Sequence, residues 1–150
     1  MHAAAPMAPV FHLDGQLASD SHPVAELPVC SLRLMDDSNY PWLVLIPRVA
    51  EARELIDLDQ DTRLAVMQEI DLAARVLKQE FRPYKLNVAA LGNLVPQLHV
   101  HVIARYTEDP AWPAPVWGRI HARPYEPEAL VERVGRLQHA LTALRRVRPA

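Results

Sequence analysis

Residues 95–105 read VPQLHVHVIAR, and within them two kinds of side chain alternate one by one. Gln97, His99 and His101 share one parity, while Leu98, Val100 and Val102 share the other. Successive side chains of a β-strand point to opposite faces, so the segment predicts a strand with a polar file on one side and an aliphatic file on the other.

Further upstream the period changes. In DLDQDTRLAVMQEIDLAARVLKQEF, the residues Leu64, Met67, Ile70, Ala74, Leu77 and Phe81 recur at steps of three and four, which predicts an amphipathic helix. Asp59 or Asp61 is placed to cap its start, and Pro83 ends it. KLNVAAL and QLHVHVIAR then read as two strands joined by GNLVP, in the manner of a tight link between antiparallel neighbours. Before the helix, ELPVCSLRLM and YPWLVLIP read as strands separated by a DDSN turn. DPAWPAPVWG, with three prolines and two tryptophans, excludes regular structure. A second helix is expected from Pro127, with Leu130, Val134, Leu137, Leu141 and Leu144 as its stripe. Without repeats or a linker, the order describes one α+β domain over residues 10–146, with residues 1–9 as a loose tail and 147–150 as a short one.

A chain of 150 residues suits a single core of that kind. Its formal charge of −2 gives no footprint for nucleic acid or an anionic membrane, and Arg145, Arg146 and Arg148 read as the basic end of a helix. No stretch approaches the ~20 apolar residues of a membrane span, and the opening MHAAAPMAP lacks the pattern of a signal peptide. Cys30 is the only cysteine, so an internal disulfide is impossible. A cytoplasmic protein is the expectation.

Three readings of the polar file remain open on spacing alone. It can be the wet side of a half-buried strand. It can hold a metal through His99 and His101, given a third ligand such as His12, His22, His121 or His139, none of which lies at a supporting spacing. Or it can carry nucleophilic catalysis. A mostly neutral imidazole has a lone pair able to attack phosphorus, and a second imidazole two residues on can donate hydrogen bonds to the charge that develops.

The order NLVPQLHVHVIAR, preceded by the asparagine-bearing KLNVAAL and a Gly-Asn turn, resembles the histidine triad (HIT) family. The likeness runs from about residue 10 to residue 120, includes WLVLIPR followed by a long helix, and is strongest over 85–118. It implies an antiparallel sheet of about five strands with one long helix and a C-terminal helix, paired into a homodimer. It also implies hydrolysis or transfer at the α-phosphate of a nucleotide through a nucleotidyl-histidine. On that pattern His99 is the nucleophile and His101 bonds the phosphate or leaving-group side. Asn87 and Asn93 match amide positions around the phosphates, and Gly92 lets the backbone approach them.

Two positions depart from the pattern. Gln97 stands where the family has its first triad histidine, and Trp42 where it has an upstream histidine. Glutamine can hydrogen-bond but cannot carry a proton in and out. Trp42 reads either as core or as a wall of the base pocket. Asp36 or Asp37 is expected near the ribose hydroxyls, or else simply forms the turn. Trp112 and Trp117 are specificity elements or a plug beneath the proline-rich loop. Arg105, on the catalytic parity, is expected to meet a distal phosphate. The expectation is a nucleotide hydrolase or nucleotidyl transferase acting on a diadenosine polyphosphate or nucleoside phosphoramidate. It needs no cofactor, and magnesium accompanies a polyphosphate substrate. The alternative is a non-catalytic nucleotide-binding or regulatory protein on the same fold.

Overall fold

The structure, a computed structural model, describes residues 5–147. The ends of both expected tails, 1–4 and 148–150 with Arg148, lie outside the described residues. Five strands form one antiparallel sheet: β1 (Ser21–Glu26), β2 (Cys30–Met35), β3 (Trp42–Pro47), β4 (Lys85–Ala89) and β5 (Val100–Arg105). Their order across the sheet is β1-β2-β3-β5-β4. Three helices accompany them: α1 (Gly15–Asp20), α2 (Gln60–Phe81) and α3 (Pro127–Val147). This is the α+β architecture that the sequence implied.

The long helix begins where its capping chemistry puts it. Asp59 accepts a hydrogen bond from the Thr62 N–H at 2.8 Å, satisfying one of the donors a helix start leaves over. It ends at Phe81, where Arg82 turns left-handed (φ 45°) just before Pro83. Its buried face differs from the expected stripe. Leu64 and Met67 are 56% and 58% exposed, while Val66, Ile70, Ala73, Val76 and Leu77 are buried. Leu72 is buried with them, so the packed face is turned away from the expected stripe and leaves Leu64 and Met67 on its flank. Glu69 also lies on the buried face, where its two carboxylate oxygens accept the Val29 and Cys30 N–H groups at 2.7 and 2.8 Å.

Sheet parity divides the interior. Val100 and Val102 of β5, Leu43 and Leu45 of β3, and Leu32 and Leu34 of β2 pack with α2 and with Leu137, Ala140 and Leu141 of α3. On the other face lie His101, Ile103 and Arg105, across from Val44 and Trp42. This face is covered rather than wet. Phe11, Leu13 and Leu17 lie over Val44 and Ile46, while Ala111, Val116 and Trp117 lie over Tyr40, Trp42 and Ile103. Every residue of β5 is buried, so the reading of its polar file as a solvated face does not hold.

Two stretches were also misjudged. The strand expected in ELPVCSLRLM is shorter, β2 beginning only at Cys30, and the strand before it, β1, which ends at Glu26, was not foreseen. Pro23 is accommodated because β1 is an edge strand, and the register shifts beside it between Pro23 and Ala25. The connection from β4 to β5 is no tight turn, since the irregular stretch 90–99 separates them. That stretch starts and ends the site.

Candidate active site

Gln97 and His99 precede β5, and His101 is its second residue. The chain is anchored there by the Leu98 N–H, which donates to the Ala52 carbonyl at 2.9 Å. His99 and His101 stand together, ring centroids 4.9 Å apart and planes at 79°. His99 Nδ1 lies 2.6 Å from the Gln97 carbonyl oxygen. A carbonyl only accepts, so Nδ1 carries the hydrogen and the free lone pair of His99 is on Nε2. His99 lines a shallow cleft with Arg53, Glu54, Ala90, Leu91, Gly92, Gln97 and Leu98. It is 93% buried by area, yet it opens on a surface rather than on the apolar interior.

His101 is buried behind it. Its Nδ1 lies 2.9 Å from the indole Nε1 of Trp42, and Trp117 packs edge-on at 5.1 Å between centroids. Burial, and then the neighbouring His99, push its pKa down to about 4. At neutral pH this imidazole is uncharged.

Gln97 is engaged in another direction. Its Oε1 accepts the Asp14 N–H at 2.9 Å, and its Nε2 donates to the His12 carbonyl at 2.8 Å. The side-chain amide thus pairs with two backbone groups as a peptide would. A histidine has one donor and one acceptor on a rigid ring and cannot match this pair in the same way. The backbone of Gln97 orients His99 while its side chain latches the N-terminal segment. Replacing it with alanine is expected to leave the fold intact and speed amide exchange at Asp14 by about tenfold, as befits one lost hydrogen bond. Unchanged protection of Asp14 by hydrogen–deuterium exchange would refute the latch.

The other expected site residues divide. Gly92 adopts φ +73°, a torsion that favours glycine; a Cβ there would meet nothing closer than the Val95 oxygen at 3.6 Å. Asn93 beside it is exposed. Asn87, in β4, accepts from Arg105 Nη1 through its Oδ1 at 2.7 Å. Arg105 is 1% exposed and does not reach toward a distal phosphate. Its guanidinium meets Asp109 at 2.8 and 3.1 Å, Asn87, and the Ala114 carbonyl at 2.8 Å, and so pins the 106–118 loop to the sheet. A strand-parity argument cannot see a loop folding back over the side chain.

Asp36 is occupied as well. Its Oδ1 accepts the Tyr125 N–H at 2.9 Å and faces His22 Nε2 at 3.2 Å. Asp37 holds Asn39 and the Arg123 N–H. Both aspartates tie the β2–β3 turn to the segment leading into α3. Trp42 is core and site at once, being 6% exposed and bonded to His101. Trp117 joins it, whereas Trp112 packs on Tyr84 and under Arg105. Sequence reasoning missed Arg53, the one lysine or arginine lining the cleft, and the docking of residues 11–14. No spacing signal marks either.

The metal reading lacks its third ligand. Among the described residues no three of His, Cys, Asp and Glu come together to hold an ion. A larger hollow of about 380 Å³, lined by Ala25, Gln138, Leu141, Thr142, Arg145 and Arg146, lies between β1 and α3 and includes none of these site residues.

Comparison with known proteins places this geometry. The HIT domain matches residues 16–108. A histidine triad protein from Bradyrhizobium japonicum is 42% identical, with a TM-score of 0.86 over 89% of this chain and 99% of its own. One from Marinobacter aquaeolei is 41% identical, with a TM-score of 0.87 over 90% of this chain and 98% of its own. An AP-4-A phosphorylase of Mycobacterium tuberculosis is 31% identical over 68% of this chain, which spans 63% of that relative's length. The domain match takes in all five strands, the long helix and both histidines together, and two solved relatives share the fold almost end to end; the chain belongs to the histidine triad family.

Proposed function

We propose that the protein is a nucleotide hydrolase or nucleotidyl transferase in which His99 is transiently nucleotidylated. The observation that carries this reading is the Nδ1–H of His99 on the Gln97 carbonyl, which leaves the Nε2 lone pair available beside the cleft. A nucleoside phosphate lies with its α-phosphorus against that nitrogen. The Nε2–P bond forms as the bond to the leaving group breaks, and the leaving group departs with the electron pair. A water or another acceptor then attacks the same phosphorus, returning the lone pair to Nε2. Arg53 and Gly92 line the cleft, where a guanidinium and a close-approaching backbone suit an anionic phosphate, and Asn93 follows Gly92 in the chain. The relative named for AP-4-A favours a dinucleoside polyphosphate over a phosphoramidate. Magnesium accompanies such a polyphosphate as its counter-ion, and the chemistry calls for no other cofactor.

The test is to trap the intermediate. Incubation with diadenosine tetraphosphate, ATP and an adenosine phosphoramidate, followed by rapid quench and mass spectrometry, is expected to give an acid-labile adenylyl group on His99. Saturable binding with no adduct and no turnover would establish the second reading, a nucleotide-binding module. Its motivating observation is that Gln97 is committed to residues 12–14 and is no proton carrier.

The functional unit on this reading is a cytoplasmic homodimer. β4 has a strand neighbour on one side only, and Val88, Leu91 and Leu94 around that edge are 52%, 48% and 98% exposed. Sedimentation at micromolar concentration is expected to give twice the 16.9 kDa chain mass, and a Val88→Lys variant a single one. A wild-type monomer would remove this part of the proposal.

A further inference from the structure

The two histidines carry different hydrogens, and the cause is different for each. His99 is set by a carbonyl. His101 meets the indole N–H of Trp42, at 2.9 Å and deeply buried on both sides. Indole nitrogen is a donor only, so the facing His101 Nδ1 must be the acceptor and hold no hydrogen. The hydrogen of a neutral His101 is therefore on Nε2. We propose that Trp42 is a positioning residue that locks His101 as the Nε2–H tautomer, so that it serves the phosphoryl group as a fixed hydrogen-bond donor and not as a proton relay. This rests on the reaction proposed above, but its structural half concerns the unliganded protein alone.

Several observations support the lock. Trp42 pairs with Ile103 across β3 and β5, and Val44 with His101, so both rings stand on one sheet face as diagonal neighbours. The indole cannot turn away, because Tyr40 and Trp117 pack edge-on against it at 6.3 and 5.7 Å. Among the described contacts of the imidazole are two aromatic rings and His99, with no carboxylate to stabilise an imidazolium. A second hydrogen on Nδ1 would point at the indole N–H. Trp42 thus opposes protonation as well as the other tautomer. A donor fixed in advance toward developing charge needs no reorganisation when the reaction occurs.

The experiment reads tautomers directly. Two-bond proton–nitrogen correlation on 15N-histidine-labelled protein is expected to show His101 with Nε2 protonated and Nδ1 bare. Trp42→Phe keeps a ring and removes the donor. It is expected to leave His101 in mixed tautomers and to lower kcat about tenfold, the worth of one hydrogen bond, with KM changed far less. Should phenylalanine loosen the packing, benzothienyl-alanine at position 42 replaces only the N–H by sulfur, and the same spectrum and rate are expected. Wild-type His101 protonated on Nδ1, or unchanged tautomer and rate in both variants, would overturn the proposal. Wild type without any turnover but with the expected spectrum would sink the proposed reaction and leave the lock standing.

Discussion

Replacing His99 by alanine is expected to abolish adduct formation and lower kcat by about three orders of magnitude or more, while nucleotide affinity changes less than about tenfold. The split follows from the geometry. His99 supplies a lone pair beside the cleft, and no other imidazole is among the described residues that line it. The contacts around the phosphates come from other residues, so binding persists when the nucleophile is gone. His101 does not substitute: its Nδ1 lone pair is taken up by the Trp42 indole N–H and its Nε2 carries the hydrogen, so neither nitrogen has a free pair to attack with. Steady-state kinetics beside equilibrium dialysis with the same nucleotide check this. A variant with wild-type turnover would show that the bond-making nitrogen lies elsewhere.

The second large effect is on stability. Arg105→Met is expected to destabilise the fold by about 3–5 kcal/mol, because Asp109 would be left charged and buried without its partner. The side chains of the pair are 1% and 3% exposed. For a domain of this size the melting temperature would drop by on the order of 10 °C. Adding Asp109→Leu to Arg105→Met should recover much of that loss, since apolar residues remove the unpaired charge along with the bond. The pair also sets an acid limit. Burial alone would raise the Asp109 pKa, but hydrogen bonds from Arg105 and from the Tyr106 and Ala111 N–H groups hold it below the ordinary 3.8. A carboxyl depressed in the folded state contributes stability above that value and loses it as the pH falls through its folded pKa. Urea titrations of wild type should therefore show this contribution intact at pH 5 and fading below the usual carboxylate range. Equal stability of wild type and the single variant would rule out a structural role for the pair.

Much of the fold was legible because periodicity survives without tertiary information. Residues 59–81 repeat at helical steps with an aspartate cap and a proline stop, and 100–105 alternate as a strand must. The same periodicity misplaced the face of α2: Leu64 and Met67 fit the stripe, but a repeat of three and four leaves the direction of the buried face open, and Val66, Leu72 and Ala73 are buried instead. Short helix α1 and the segment before it left little pattern to read. At the site, the identities of His99 and His101 were legible, and their tautomers were not. A tautomer is written in the partner of the other ring nitrogen, and those partners come from residue 42 and from a carbonyl. Arg105 misled for a related reason. Parity reports the side of the sheet, not what lies over it.

The place of β5 in the strand order has a further consequence. It lies between β3 and β4, hydrogen-bonded along both edges and roofed on both faces. The strand that follows His99 and carries His101 therefore has little freedom to adapt to different molecules, and a change of preference among relatives falls to the loops that line the cleft, residues 53–54 and 90–92. Chemistry and selectivity are thus encoded in separate stretches of one chain, and each can diverge without disturbing the other.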